Sequence, residues 1–213
     1  MADRWPPYDR AVVFASTPST GVAMAWVVAA YLLGTFPTAL LVGRGHGVDP
    51  TRAGSGNPGA TNVLRTAGKR AGVATLAGDV AKGALAAGVG WAVGGHGLGV
   101  ACGVAAVLGH VLPVTRRFRG GKGVATGAGM ALVLFPLALA IAAVGFAVAA
   151  GLSRIASLGS IVAAVILPVA AGLLGAPGNE VAALALCSAL IVARHRQNIV
   201  RMVHGAERRL GAG

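Results

Sequence analysis

Between residues 21 and 193 the chain runs through Ala, Val, Leu, Ile and Gly in long stretches interrupted only by short polar segments. A helix needs about 20 apolar residues to cross a hydrocarbon core about 30 Å thick, and several of these stretches approach or exceed that length. In lipid, the backbone N–H and C=O groups must be satisfied within the segment itself, so such runs resolve into helices. The predicted fold is therefore an all-α integral membrane protein. A mean hydropathy of +0.74 with 55% hydrophobic and 11% charged residues lies well outside the range of soluble domains.

Seven spans are predicted, over residues 21–43, 71–93 and 98–114, two short helices within 124–152 divided at Phe135-Pro136, then 158–174 and 181–193. The net charge of +12 would suggest nucleic acid in a soluble chain. Here the basic residues sit at the ends of apolar runs, as the positive-inside rule requires, and no nucleic-acid partner is expected. All but three of the 18 cations (Arg4, Arg10 and Lys82) fall in four segments, 44–70, 115–123, 153–157 and 194–213. Those four are predicted to be cytoplasmic, with the N-terminus outside and the C-terminus inside. Residues 1–20 form an extracytoplasmic tail and 21–213 a single membrane domain. No cleavable leader is expected, because Pro6, Pro7 and Pro18 interrupt the tail and its apolar patch at 11–15 is too short. Cys102 and Cys187 lie in apolar runs and read as packing residues.

Against this apolar background one segment is conspicuously polar: Gly54-Ser55-Gly56-Asn57-Pro58-Gly59-Ala60-Thr61-Asn62-Val63-Leu64-Arg65. Gly54, Gly56 and Gly59 allow a ligand close to the backbone. Ser55, Asn57, Thr61 and Asn62 offer hydrogen bonds, and Arg65 supplies a planar fork suited to phosphate. The three glycines also fit the G-x-G-x-x-G dinucleotide pattern with Asp79 about 20 residues on, but no strand precedes them and no βαβ unit is present. A second basic loop, Arg116-Arg117-Phe118-Arg119-Gly120-Gly121-Lys122-Gly123, leads into Val124-Ala125-Thr126 at a helix start, where backbone N–H groups favour an anion. A third cluster places His195 and Asn198 three residues apart, on one side of a continuing helix. Asp79 and Lys82, also three apart, sit deep in the second span and read as an internal ion pair or as substrate-proximal charges.

All three clusters lie on the cytoplasmic side in this topology, which suggests phosphate handling there. The histidines are scattered and lack partnering carboxylates, so no metal site is predicted, and no cofactor or covalent nucleophile is implied.

Taken together, residues 54–65, Gly109-His110-Val111-Leu112-Pro113-Val114 running into Phe118-Arg119-Gly120-Gly121-Lys122-Gly123-Val124-Ala125-Thr126, and Arg194-His195-Arg196-Gln197-Asn198-Ile199-Val200-Arg201 with Gly205-Ala206-Glu207 resemble the three signature motifs of the PlsY family of acyl-phosphate:glycerol-3-phosphate acyltransferases. The resemblance implies a seven-helix inner-membrane enzyme that acylates the sn-1 hydroxyl of glycerol 3-phosphate from acyl phosphate, giving lysophosphatidic acid and phosphate in the first step of phospholipid synthesis. It implies Ser55, Arg65, Lys122, His195 and Asn198 as catalytic residues, with Arg65 and Lys122 gripping phosphate. Gly54, Gly56, Asn57, Gly59, Thr61, Asn62, His110, Arg119, Gly120, Gly121, Gly123 and Thr126 would bind substrate, and Glu207 would be structural. Either a phosphate oxygen of the donor or His195 takes the hydroxyl proton. A transporter of a phosphorylated anion is the competing reading; it predicts inverted repeats and midplane charges, of which only Asp79 and Lys82 fit.

Overall fold

The computed structural model describes residues 18–211, so the N-terminal tail, up to residue 17, lies outside the described residues. Every regular element described is helical. The chain divides into two compact units at Leu134–Phe135.

The first unit begins with α1 (Thr20–Gly34) and α2 (Thr38–Gly45). The sequence predicts a single span over 21–43, but the chain breaks at Thr35-Phe36-Pro37. Proline disfavours helical backbone in the residue before it and has no N–H to continue the ladder; Pro37 itself sits at φ −89°, ψ 59°.

α3 covers Ala60–Val111, with non-helical backbone at Gly68, Gly94 and Gly95. Its first stretch lies inside the predicted loop 44–70, so the second half of the polar segment is helical. Val63, fully buried, packs with Ala39 and Ala71 to hold that turn against the unit's core. At Gly94-Gly95 the chain reverses, with Gly95 at φ 80°, a conformation that disfavours a Cβ. The two long limbs then run back to back, Gly90 against Leu98 and Cys102, Gly99 against Ala87. The turn predicted at 94–97 is thus a helical hairpin. A 3₁₀ turn, Val114–Arg116, leads to α4 (Val124–Leu134), which crosses α3 closely: a Cβ on Gly83 would strike the Thr126 carbonyl, and one on Gly129 the Val80 carbonyl. Small residues at such crossings bring backbones into van der Waals contact, the main attraction between helices in lipid.

The second unit contains α5 (Pro136–Ser153), α6 (Ala156–Leu173), α7 (Gly178–Arg194) and α8 (Arg196–Val203). The division at Phe135-Pro136 is as predicted, with Pro136 in the first helical turn, where its missing N–H costs nothing. The predicted loop 153–157 shrinks to Arg154 and Ile155, and α8 occupies part of the predicted loop 194–213.

Among the described residues, four helical stretches are long and apolar enough to cross a membrane: 20–45, 60–116 (which contains the hairpin), 136–153 and 156–173. Small residues fill much of the first unit's interior, and large apolar residues stand exposed on the second. Ala30, Ala86, Cys102, Ala105 and Ala106 form one core, while Leu152 and Leu173 are 85% and 84% exposed. In water that surface would drive aggregation; in a bilayer it meets a solvent as apolar as itself. Both cysteines are buried and free, as expected of packing residues.

Candidate active site

In the first unit, the polar loop before α3 is organised by one buried amide. Asn62, 4% exposed, donates from Nδ2 to the carbonyls of Pro50 (2.8 Å) and Ala53 (3.1 Å) and accepts the Ser55 backbone N–H at Oδ1 (2.9 Å). Expected among the substrate contacts, it is instead committed to the loop's own backbone. The chain entering the loop is fixed by Asp49, whose Oδ1 accepts the Thr51 N–H (2.9 Å) and hydroxyl (2.6 Å). Those hydrogen bonds hold the half-buried Asp49 carboxyl below its ordinary value. With the backbone so held, Ser55 stands at the surface between Gly54 (φ 61°) and Gly56 (φ 71°), both left-handed. Asn57 follows, half-buried, its N–H 3.5 Å from the Ser55 hydroxyl. Gly59 precedes the first turn of α3, and Thr61 and Arg65 lie exposed one turn apart on that helix.

The second basic loop is threaded over His110. The Gly121 N–H donates to the His110 carbonyl (3.1 Å). A Cβ on Gly120 would strike that carbonyl and one on Gly121 the His110 Nε2, so only glycines let the loop lie this close. Arg117 and Phe118 adopt left-handed backbone (φ 51° and 60°), and Gly123 (φ 89°) turns the chain into α4. Lys122 is half-buried just before that helix start, and Arg119 is exposed. Thr126, predicted to touch substrate, is fully buried at the α3–α4 crossing. His110, also predicted to touch substrate, has its Nδ1 2.7 Å from the Lys82 ammonium. Asp79 and Lys82 form the predicted ion pair, 2.8 Å apart.

In the second unit the helix does not continue through the third cluster: α7 ends at Arg194 and α8 starts at Arg196, with His195 as the joint. His195 and Asn198 nonetheless both turn inward, 1% and 7% exposed. His195 Nδ1 lies 2.8 Å from the Ile191 carbonyl. A carbonyl can only accept, so the neutral ring carries its proton on Nδ1 and its lone pair on Nε2. Glu207 is the hub of the cluster. Its Oε1 accepts from Asn198 Nδ2 (2.6 Å) and from the Ser157 hydroxyl (2.8 Å), and its Oε2 from Arg201 Nε (2.6 Å). Burial alone would raise the Glu207 carboxyl; the hydrogen bonds from Asn198, Arg201 and Ser157 outweigh it and hold the group below its ordinary value. Ser157, fifty residues from Glu207, is a member of this cluster that sequence reasoning missed, since one serine among Ser153, Ser157 and Ser160 carries no local signal.

The fold and these clusters define a helical integral membrane protein whose glycine-rich segments carry the cations Arg65, Arg119 and Lys122. The profile of the glycerol-3-phosphate acyltransferase family matches residues 24–205, and the chain belongs to that family, the PlsY acyltransferases. Curated relatives named glycerol-3-phosphate acyltransferase include one from Halorhodospira halophila, 45% identical over 188 residues (87% of this chain, 95% of the relative). Another, from Pseudomonas paraeruginosa, is 47% identical over 195 residues (87% and 99%). The crystal structures of PlsY, an integral membrane glycerol 3-phosphate acyltransferase, in its glycerol 3-phosphate and lysophosphatidic acid forms, are 36% identical to this chain. Each covers 90% of this chain and 96% of its own, with TM-scores of 0.83 and 0.81.

Proposed function

We propose that this acyltransferase moves a fatty acyl group from acyl phosphate to the sn-1 hydroxyl of glycerol 3-phosphate, releasing lysophosphatidic acid and inorganic phosphate. It works at the cytoplasmic face of a bacterial inner membrane, with its N-terminus outside and its C-terminus inside. The observation that carries the reading is the 36% identity, over 90% of the chain, to a PlsY described in both a glycerol 3-phosphate and a lysophosphatidic acid form. The donor's acyl chain resides in the bilayer and its head at the aqueous rim.

An acyl phosphate is a mixed anhydride and already activated, so the protein's task is to orient the hydroxyl and stabilise charge on the carbonyl oxygen. Arg65 and Lys122 bind phosphate oxygens, with the glycine-loop backbone and Arg119 adding donors. Ser55 and Asn57 orient the reacting groups. The glycerol oxygen bonds to the acyl carbon, the carbon–oxygen bond to phosphate breaks, and the departing phosphate takes the hydroxyl proton. His195 and Asn198 act as orienting groups; the tie from His195 Nδ1 to Ile191 fixes the ring for that purpose.

Protein purified in detergent is expected to release phosphate from acyl phosphate only when glycerol 3-phosphate is present; no such release from folded protein overturns the reading. Arg65→Ala is expected to lower turnover by about 10²–10³-fold, the usual cost of one charge-stabilising donor, while His195→Gln retains measurable turnover. The opposite ranking would make His195 the base. Transport finds no support here, because Asp79 and Lys82 neutralise each other.

A further inference from the structure

Asp79 and Lys82 lie on one long limb of α3 and His110 on the other, and all three meet beneath the second basic loop. Asp79 is 2% exposed and Lys82 4%. The Lys82 ammonium has three N–H donors and three acceptors: Asp79 Oδ1 at 2.8 Å, the Phe36 carbonyl at 3.2 Å and His110 Nδ1 at 2.7 Å. Asp79 Oδ1 is 3.6 Å from His110 Nδ1, too far for a hydrogen bond, so that ring nitrogen accepts from Lys82 and the His110 proton sits on Nε2. The Nε2 edge faces Gly121, and the His110 carbonyl holds the Gly121 N–H. A small cavity around the network is bounded by Pro58 of the first polar loop and by Arg116 and Gly121 of the second. Thr38 lines it too, with a buried hydroxyl that finds no partner among the described residues.

Joining two helices does not require this chemistry, since an apolar contact does so without desolvating two charges. The network does something an apolar contact cannot. The Lys82 ammonium, donating both to the Phe36 carbonyl at the break between α1 and α2 and to His110 Nδ1, ties that break to the ring against which Gly121 rests.

We propose that Asp79, Lys82 and His110 are positioning residues for the phosphate-binding loop, presetting Gly120-Gly121-Lys122 for the acceptor phosphate. The proposal rests on the reaction assigned above. Its first test is independent of activity: hydrogen exchange of residues 115–124 in the double variant Asp79→Asn/Lys82→Met. Replacing both charges leaves no unpaired buried ion, the change that costs a fold most. Loop exchange is expected to rise about tenfold, a loss of one such hydrogen-bonded constraint, with α4 protection unchanged. The second test is kinetic: KM for glycerol 3-phosphate is expected to rise about tenfold with kcat within about threefold, the pattern of a lost binding geometry. His110→Gln, which keeps both charges but removes the ring under Gly121, is expected to reproduce both effects and decides the matter if the double variant fails to fold. Unchanged loop exchange in a folded variant overturns the proposal, as do unchanged KM and kcat. If wild-type protein shows no turnover while loop exchange still responds, the assigned reaction fails and the positioning role stands.

Discussion

Around Ser55 a single neutral amide is buried and the candidate functional side chains stand at the surface; around His195 the candidate side chains are themselves buried, and a carboxylate holds Asn198. Asn62 acts on backbone, through two carbonyls and an N–H, while Ser55, Thr61 and Arg65 stand exposed beside it. Glu207 acts on side chains, binding Asn198, Ser157 and Arg201 directly. A clamped backbone leaves the loop's side chains at the surface, whereas His195 at a helix break is oriented by the Ile191 carbonyl one turn back.

This contrast predicts a graded set of outcomes. Asn62→Ala should do the most damage: it leaves the Pro50 and Ala53 carbonyls and the Ser55 N–H without their partner, at about 1–3 kcal/mol for the buried groups. Faster hydrogen exchange over 50–56 should accompany a loss of activity at least as large as that of Ser55→Ala. An Asn62→Ala protein with wild-type exchange and turnover would erase the distinction between the two regions.

Glu207→Gln should do less, because the amide oxygen still accepts from Asn198 and Ser157 and only the charge and the acceptor facing Arg201 are lost. The pH dependence gives a sharper reading. The folded-state value of Glu207 lies below its ordinary 4.5, so its stabilisation is fully present above 4.5 and is lost as pH falls through the folded value. Thermal melts of the wild type should therefore show a destabilisation below pH 4.5 that is diminished in Glu207→Gln. Because the Arg201 partner is partly exposed, the difference should be about 1 kcal/mol or less. Asp49→Asn should do the least. The side chain is only partly buried, its oxygen still caps Thr51, and stability within about 0.5 kcal/mol of wild type is expected in a melt.

Much of this protein is legible before folding. The helical membrane class follows from the apolar runs, and the reversal at Gly94-Gly95 and the division at Phe135-Pro136 follow from backbone chemistry that any context must respect. The three polar clusters stood out because hydrogen-bonding side chains are rare in this composition. Local pattern failed where a residue's partner is remote. The break at Phe36-Pro37 lay hidden in an apolar run, and the helical first turn at 60–65 in a polar one, because Val63 is drawn in by Ala39 and Ala71. Asn62 and Thr61 are adjacent and equally polar, yet one is buried and the other exposed, a difference set by helix phase against a core not visible in sequence.

The sequence by itself therefore determined the solvent this chain folds in, its helices and the chemical vocabulary of its site, because hydropathy, proline and glycine act over a few residues. Only the tertiary structure decided which polar groups stand exposed and which are spent holding the loops in shape. Asn62 clamps a loop, Glu207 gathers Ser157 and Asn198, and Lys82 reaches His110 across 28 positions, since a hydrogen bond depends on distances of about 3 Å that chain separation does not reveal.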